Sequence, residues 1–177
     1  MVIWITGMSG AGKTTISQAL SDLVKPRISE LILIDGDAVR ELYGNDLDYA
    51  EASRSKHISR VRSLAKFLET QGQVVVVAAL YSHPDLLTEN RRILAEYFEV
   101  YLQAPLDLLR ARDSKGLYAG ALSGRIPNVV GVDIPWHAPL NPDLVLDCSN
   151  AQSPREMALK IAHRVPRLRA ALSEGAA

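Results

Sequence analysis

The 177-residue chain contains one cysteine, Cys148, so no intrachain disulfide can form and a cysteine-type zinc site lacks ligands. Charge of one sign is also missing. Lys and Arg total 20 and Asp and Glu total 20, so no net field draws the chain to nucleic acid or an anionic membrane. Any anion must be held locally. The longest strongly apolar run, Val74 to Tyr81, has eight residues, far short of the roughly 20 needed for a membrane-spanning helix. The N-terminal residues Met1 to Thr6 carry no basic region and no small-residue cleavage site, so they are expected to belong to the fold. A cytoplasmic protein of one domain, residues 1–177, is the expectation.

With 47% hydrophobic residues the chain can build a core. Apolar runs of strand length alternate with segments of helical period, the pattern of an α/β fold with a parallel sheet. Five strands are expected at Val2–Thr6, Leu31–Asp35, Val74–Ala79, Phe98–Leu102 and Leu144–Asp147. Helices are expected at Thr14–Val24, Ala38–Leu42, Ser53–Gln71, Leu86–Tyr97 and Pro105–Ala111. Residues 112–142 are rich in Gly and Pro with little periodicity and read as a mobile lid. The tail from Pro154 to Leu172 reads as a helix split or kinked at Pro166 and laid over the sheet; residues 173–177 are expected to fray.

Gly7-Met8-Ser9-Gly10-Ala11-Gly12-Lys13-Thr14 follows the first strand and opens a helix, fulfilling G-x-x-x-x-G-K-[ST] in the context that motif requires. Its glycines let backbone N–H groups surround a triphosphate at a helix N-terminus. Lys13 supplies charge at the β and γ phosphates, and the Thr14 hydroxyl a ligand position for Mg²⁺. The donor site is thus Gly7, Ser9, Gly10, Ala11, Gly12, Lys13, Thr14 and Thr15.

Phosphoryl transfer also needs carboxylates at the strand ends. Asp35 closes the second strand and is expected to orient Mg²⁺ through water. Asp37, two residues on, is expected to face the acceptor hydroxyl as base or positioning group, or else to cap the following short helix. Arg40, one turn later, is placed to pair with an anionic acceptor.

Taken together, the P-loop, Asp35-Gly36-Asp37 with Arg40, Arg112-Asp113 with Lys115-Gly116-Leu117-Tyr118, Gly131-Val132-Asp133 and Asn141-Pro142-Asp143-Leu144 resemble the adenylylsulfate kinase family over nearly the whole chain. The resemblance implies a P-loop kinase fold with a five-stranded parallel sheet flanked by helices and a lid. It also implies ATP and Mg²⁺ as requirements, and transfer of the γ-phosphoryl group to the 3′-hydroxyl of adenosine 5′-phosphosulfate in sulfate assimilation. By the same resemblance, Arg40 and Arg54 grip the acceptor's charged 5′ group and Tyr49 stacks on its base. Ser82 contacts the acceptor, Arg112 lies near the ATP adenine, and Lys115 lies near the transferring phosphates or the acceptor. The implied partner is a small nucleotide, not nucleic acid or membrane, and a homodimer is compatible with it.

Departures cluster at the acceptor. Val129 stands where the family usually has the second stacking phenylalanine, His57 replaces an asparagine, Ala38 another asparagine, and Leu80-Tyr81-Ser82-His83-Pro84-Asp85 departs from F-I-S-P-Y-R. His57, Tyr81 and Val129 therefore join the acceptor residues. They also raise a second acceptor, a cytidine diphosphate derivative, because the cytidine diphosphoramidate kinases of capsule biosynthesis resemble this family. A GTPase is disfavoured because no N-K-x-D motif follows a later strand. A non-catalytic ATP-binding module is disfavoured by the retention of Lys13, Asp35, Asp37 and Lys115.

Overall fold

The computed structural model describes residues 1–113, 115–150 and 152–173. Five parallel strands, β1 (Val2–Thr6), β2 (Leu31–Asp35), β3 (Val74–Ala78), β4 (Tyr97–Gln103) and β5 (Leu144–Asp147), form one sheet in the order β2-β3-β1-β4-β5. The central strands β1 and β3 are buried at every residue, which is why they read as unbroken apolar runs rather than as alternation.

Successive strand side chains point to opposite faces, and each face carries its own core. Ile3, Ile5, Val74, Val76, Val100 and Leu102 pack with α1 (Lys13–Val24), α7 (Pro154–Arg164) and α8 (Pro166–Ser173). Val2, Trp4, Val75 and Val77 pack with Ile58, Val61 and Ala65 of α3 (Glu51–Thr70) and Leu87 of α4 (Pro84–Ile93). The tail covers the sheet as expected, divided at Pro166, whose missing N–H is harmless at the start of a helix. Fraying beyond Ser173 lies outside the described residues.

The chain leaves β1 toward β2, crossing past β3, whereas β3 leads to β4 on the other side of β1. The strand order therefore reverses between β1 and β3, and a crevice opens at their carboxyl ends, where open α/β sheets bind ligands. Thr6 Oγ1 donates to Leu80 O at 3.1 Å and ties the two strand ends together.

Most boundaries fall within two residues of the sequence reading, and one differs by more. The helix expected to run to Tyr97 stops at Ile93, and Tyr97 instead opens β4. Glu69 of α3 is the cause, because its carboxylate accepts from the N–H groups of Ala95 at 3.1 Å and Glu96 at 3.0 Å and takes them out of the helical ladder. Residues 112–142 are also more structured than their composition suggests. They include α6 (Leu117–Leu122), which follows α5 (Leu106–Arg112), and a turn closed by a bridge between Val130 and Ile134. Among the described residues no helix is long and apolar enough to cross a membrane.

Candidate active site

A cavity of about 640 Å³ lies at the crevice, within the size range of small-molecule sites. Its floor is the P-loop. A Cβ on Gly7 would sit 2.7 Å from Leu102 O, and Gly10 and Gly12 adopt φ of +80° and +95°. Larger residues there would be strained or would collide with β4. Gly12 ends the loop as the N-cap of α1, so the positive end of that helix faces the cavity.

Lys13 Nζ donates to Gly7 O at 2.8 Å and Met8 O at 3.0 Å, so the ammonium lies curled over its own loop. Burial lowers its pKa to about 8, against the opposing pull of Asp37 and Asp35. Thr14 Oγ1 donates to Asp35 Oδ2 at 2.7 Å. The other oxygen of Asp35 accepts from Asp37 N at 2.8 Å, making Asp35 the N-cap of α2 (Gly36–Leu42). That corrects the alternative in which Asp37 was the cap. The Asp37 side chain is exposed instead and lies 3.5 Å from Lys115 Nζ.

Thr14 and Asp35 offer a hydroxyl and a carboxylate side by side, both hard oxygen donors suited to Mg²⁺. Among the described residues no group of three or more His, Cys, Asp or Glu side chains could hold a metal. A cation here would therefore depend on phosphate oxygens and water, as Mg²⁺ does when it arrives with a nucleotide.

The other half of the cavity is basic and aromatic. Arg40 is buried on α2 and donates through Nη1 to Leu47 O at 2.8 Å and Asp48 O at 3.0 Å. Arg54 on α3 donates to Tyr49 O at 2.8 Å and Asn128 O at 2.7 Å. Both guanidiniums approach the Tyr49 ring, at 4.6 and 5.3 Å from its centroid. Burial and the charge of Arg40 lower the Arg54 pKa, against the opposing pull of Asp133. His57 is buried with its Nδ1 unpartnered, and burial together with Arg40 lowers its pKa, favouring neutral imidazole. Tyr81 lines the same wall and donates to Glu51 Oε1 at 3.2 Å.

Val129, also buried, is fixed by Asp133, whose carboxylate accepts from the N–H groups of Asn128 and Val129. The left-handed conformation of Asn128, at φ +63°, completes this turn. Asp133 appears in the sequence only as part of a short motif, and its pairing with backbone five residues away carries no periodic signal.

The cavity brings together Ser9, Gly10, Gly12, Lys13, Thr14, Thr15, Asp35, Asp37, Arg40, Tyr49, Arg54, His57, Tyr81, Lys115 and Val129. Gly7 and Ala11 support the loop from beneath. Like Gly7 and Ala11, two further expected residues, Ser82 and Arg112, lie off its lining. Ser82 is buried, and its hydroxyl donates to His137 O at 2.6 Å. Arg112 ends α5 and donates to Cys148 O at 3.4 Å, bridging the end of α5 to the residue after β5.

Comparison with known proteins agrees with this geometry. The chain is 40% identical over 148 residues to a cytidine diphosphoramidate kinase of Campylobacter jejuni, covering 84% of this chain and 86% of that protein. It is 41% identical over 145 residues to an adenylyl-sulfate kinase of Deinococcus deserti, covering 82% and 80%. The structure of a Mycobacterium tuberculosis APS kinase in complex with AMPPNP and APS superposes with a TM-score of 0.84 at 32% identity, covering 92% of this chain and 95% of that one. The sequence model of adenylylsulphate kinase matches residues 1–147. The chain belongs to the adenylylsulphate kinase family of P-loop kinases, ATP- and Mg²⁺-dependent phosphotransferases that act on a hydroxyl group.

Proposed function

We propose that the protein transfers the γ-phosphoryl group of ATP to the 3′-hydroxyl of a nucleotide with a charged 5′ substituent, with adenosine 5′-phosphosulfate as the leading acceptor. The observation that carries this reading is the pairing, in one cavity, of a phosphate-binding loop with two guanidiniums gathered around an aromatic ring. The first suits a triphosphate, and the second suits an anionic group attached to a flat base.

In this reading Lys13 leaves the loop carbonyls for the β and γ phosphates, and Thr14 and Asp35 hold Mg²⁺. The cation, when bound, withdraws charge from the phosphates as the γ group moves. Asp37 receives the proton of the attacking hydroxyl as the new O–P bond forms and ADP departs with the bridging oxygen. Lys115 holds Asp37 in place and adds positive charge beside the transferring group. The segment 112–142 acts as a lid whose parts outside α6 order over both nucleotides and exclude water.

Val129 favours a second reading. With an aliphatic residue at that position, Tyr49 lacks the second stacking face that a phenylalanine would give, and the relative from C. jejuni is named for a cytidine compound. A cytidine diphosphate derivative such as cytidine diphosphoramidate is therefore the alternative acceptor. The kcat/KM of the wild-type enzyme for both compounds decides between them. A value for adenosine 5′-phosphosulfate of about 10⁴ M⁻¹s⁻¹ or above rules against the cytidine reading, whereas a far higher value for the cytidine compound establishes it.

A further inference from the structure

Tyr118 lies on α6 and is 2% exposed, its ring packed in the core with Met8 and Leu109. Its hydroxyl donates to the P-loop carbonyl of Ser9, 109 residues away in sequence, at 2.9 Å. The hydroxyl thus reaches the stretch of loop that can least hold itself. Gly10 follows Ser9 with φ +80°, and a glycine lets the preceding peptide plane turn at little cost. In a trans peptide the C=O and the next N–H point in opposite directions. Fixing Ser9 C=O toward Tyr118 therefore turns Gly10 N–H away from α6. Among the described residues Gly10 N–H donates to no backbone carbonyl, whereas Ala11 N–H is already engaged with Met8 O at 3.2 Å.

We propose that Tyr118 is a positioning residue for the donor: by holding the Ser9 carbonyl it sets the Ser9–Gly10 peptide so that Gly10 N–H is free and aimed at the ATP phosphates. The proposal rests on the kinase reading of the P-loop and deepens it. It also gives the segment before and within α6 two tasks, since Lys115, three residues earlier, lies beside Asp37 in the acceptor half. Pre-setting an amide before the phosphates arrive lowers the ordering cost of binding.

Tyr118→Phe tests this because it deletes one oxygen and keeps the ring in its place. ATP binding to wild type and variant is measured by calorimetry without acceptor, alongside kcat, the acceptor KM and the thermal midpoint. The proposal predicts a rise in ATP Kd of about fivefold, on the scale of one lost hydrogen bond. The acceptor KM and kcat at saturating ATP stay within about twofold of wild type on the same scale. An unchanged ATP Kd overturns the proposal while leaving the kinase reading intact. A parallel rise in ATP Kd and acceptor KM with a lowered thermal midpoint also overturns it, since that pattern marks a packing role. Failure of the wild type to bind ATP overturns the kinase reading and this inference with it.

Discussion

The two halves of the cavity are built from different materials. The donor half is mostly backbone: glycine conformations, the N-terminus of α1 and loop carbonyls that hold Lys13. The proposed acceptor half is mostly side chain, with Arg40, Arg54, Tyr49, His57, Tyr81 and Val129 drawn from α2, the connection to α3, α3 itself, the segment after β3 and residues 123–142. A backbone site constrains sequence tightly, because few residues other than glycine allow those turns. A side-chain site can change its ligand by single substitutions. Under the proposed function, the contrast teaches that triphosphate binding is written in the first half, whereas the identity of the acceptor is written in the second.

The largest break in this contrast comes from the donor half. Lys13→Ala lowers kcat by about 10³-fold with the fold intact, since the ammonium neutralises charge that builds between the β and γ phosphates. Steady-state turnover at saturating ATP, with circular dichroism as a folding check, measures it. Next is Asp37→Asn, where kcat falls by about 10²-fold or more while ATP Kd is preserved, because an amide cannot take the proton. If thermal stability falls and kcat does not, Asp37 serves only α2.

Arg54→Ala acts on the other half alone. It removes one cation from the anion site and two hydrogen bonds that brace Tyr49 and Asn128. The acceptor KM rises by about 10- to 100-fold and ATP Kd stays near wild type, on the scale of charge-assisted hydrogen bonds. Equal losses on both sides would erase the division between the halves.

A smaller effect sharpens the comparison through pH. In the free protein Lys13 is half-buried with a pKa of about 8, and bound phosphates favour its charged form. ATP binding near pH 8 therefore takes up about half a proton by linkage, and affinity declines as pH rises above that value. Calorimetry in two buffers of different ionisation enthalpy reads the uptake directly, and Lys13→Met should abolish it. The smallest effect is Val129→Phe. If adenosine is the base, a second stacking face preserves or improves kcat/KM for adenosine 5′-phosphosulfate, up to about tenfold at the lower range of base stacking.

Much of the fold was legible because its signals are local. All five strands fall where short apolar runs lie between helical segments, since a parallel sheet buried on both faces needs such runs. The donor site was legible for the same reason, being contiguous from Gly7 to Thr15. Long-range pairing was not. Nothing near Leu94 announces that Glu69 will capture the next two N–H groups and end α4. The short α6 is masked by glycines on either side, Gly116 and Gly124, both with positive φ.

The acceptor half shows the same limit. Arg40, Arg54 and His57 could be named from motif positions, but their spacing does not tell that both arginines brace backbone while flanking Tyr49. Ser82 was placed with the acceptor by the same reasoning, yet its hydroxyl bonds to His137 O. Asp133 and Tyr118 escaped for a related reason: each acts on the backbone of another segment, Asp133 on residues 128–129 and Tyr118 on Ser9.

The most direct test of the central claim is ADP release with adenosine 5′-phosphosulfate, with cytidine diphosphoramidate, with the 3′-deoxy counterpart of each, and without acceptor. The account predicts ADP release driven by at least one of the two nucleotides and none above background with its 3′-deoxy counterpart. ADP release that ignores the acceptor, or persists undiminished without the 3′-hydroxyl, would contradict it.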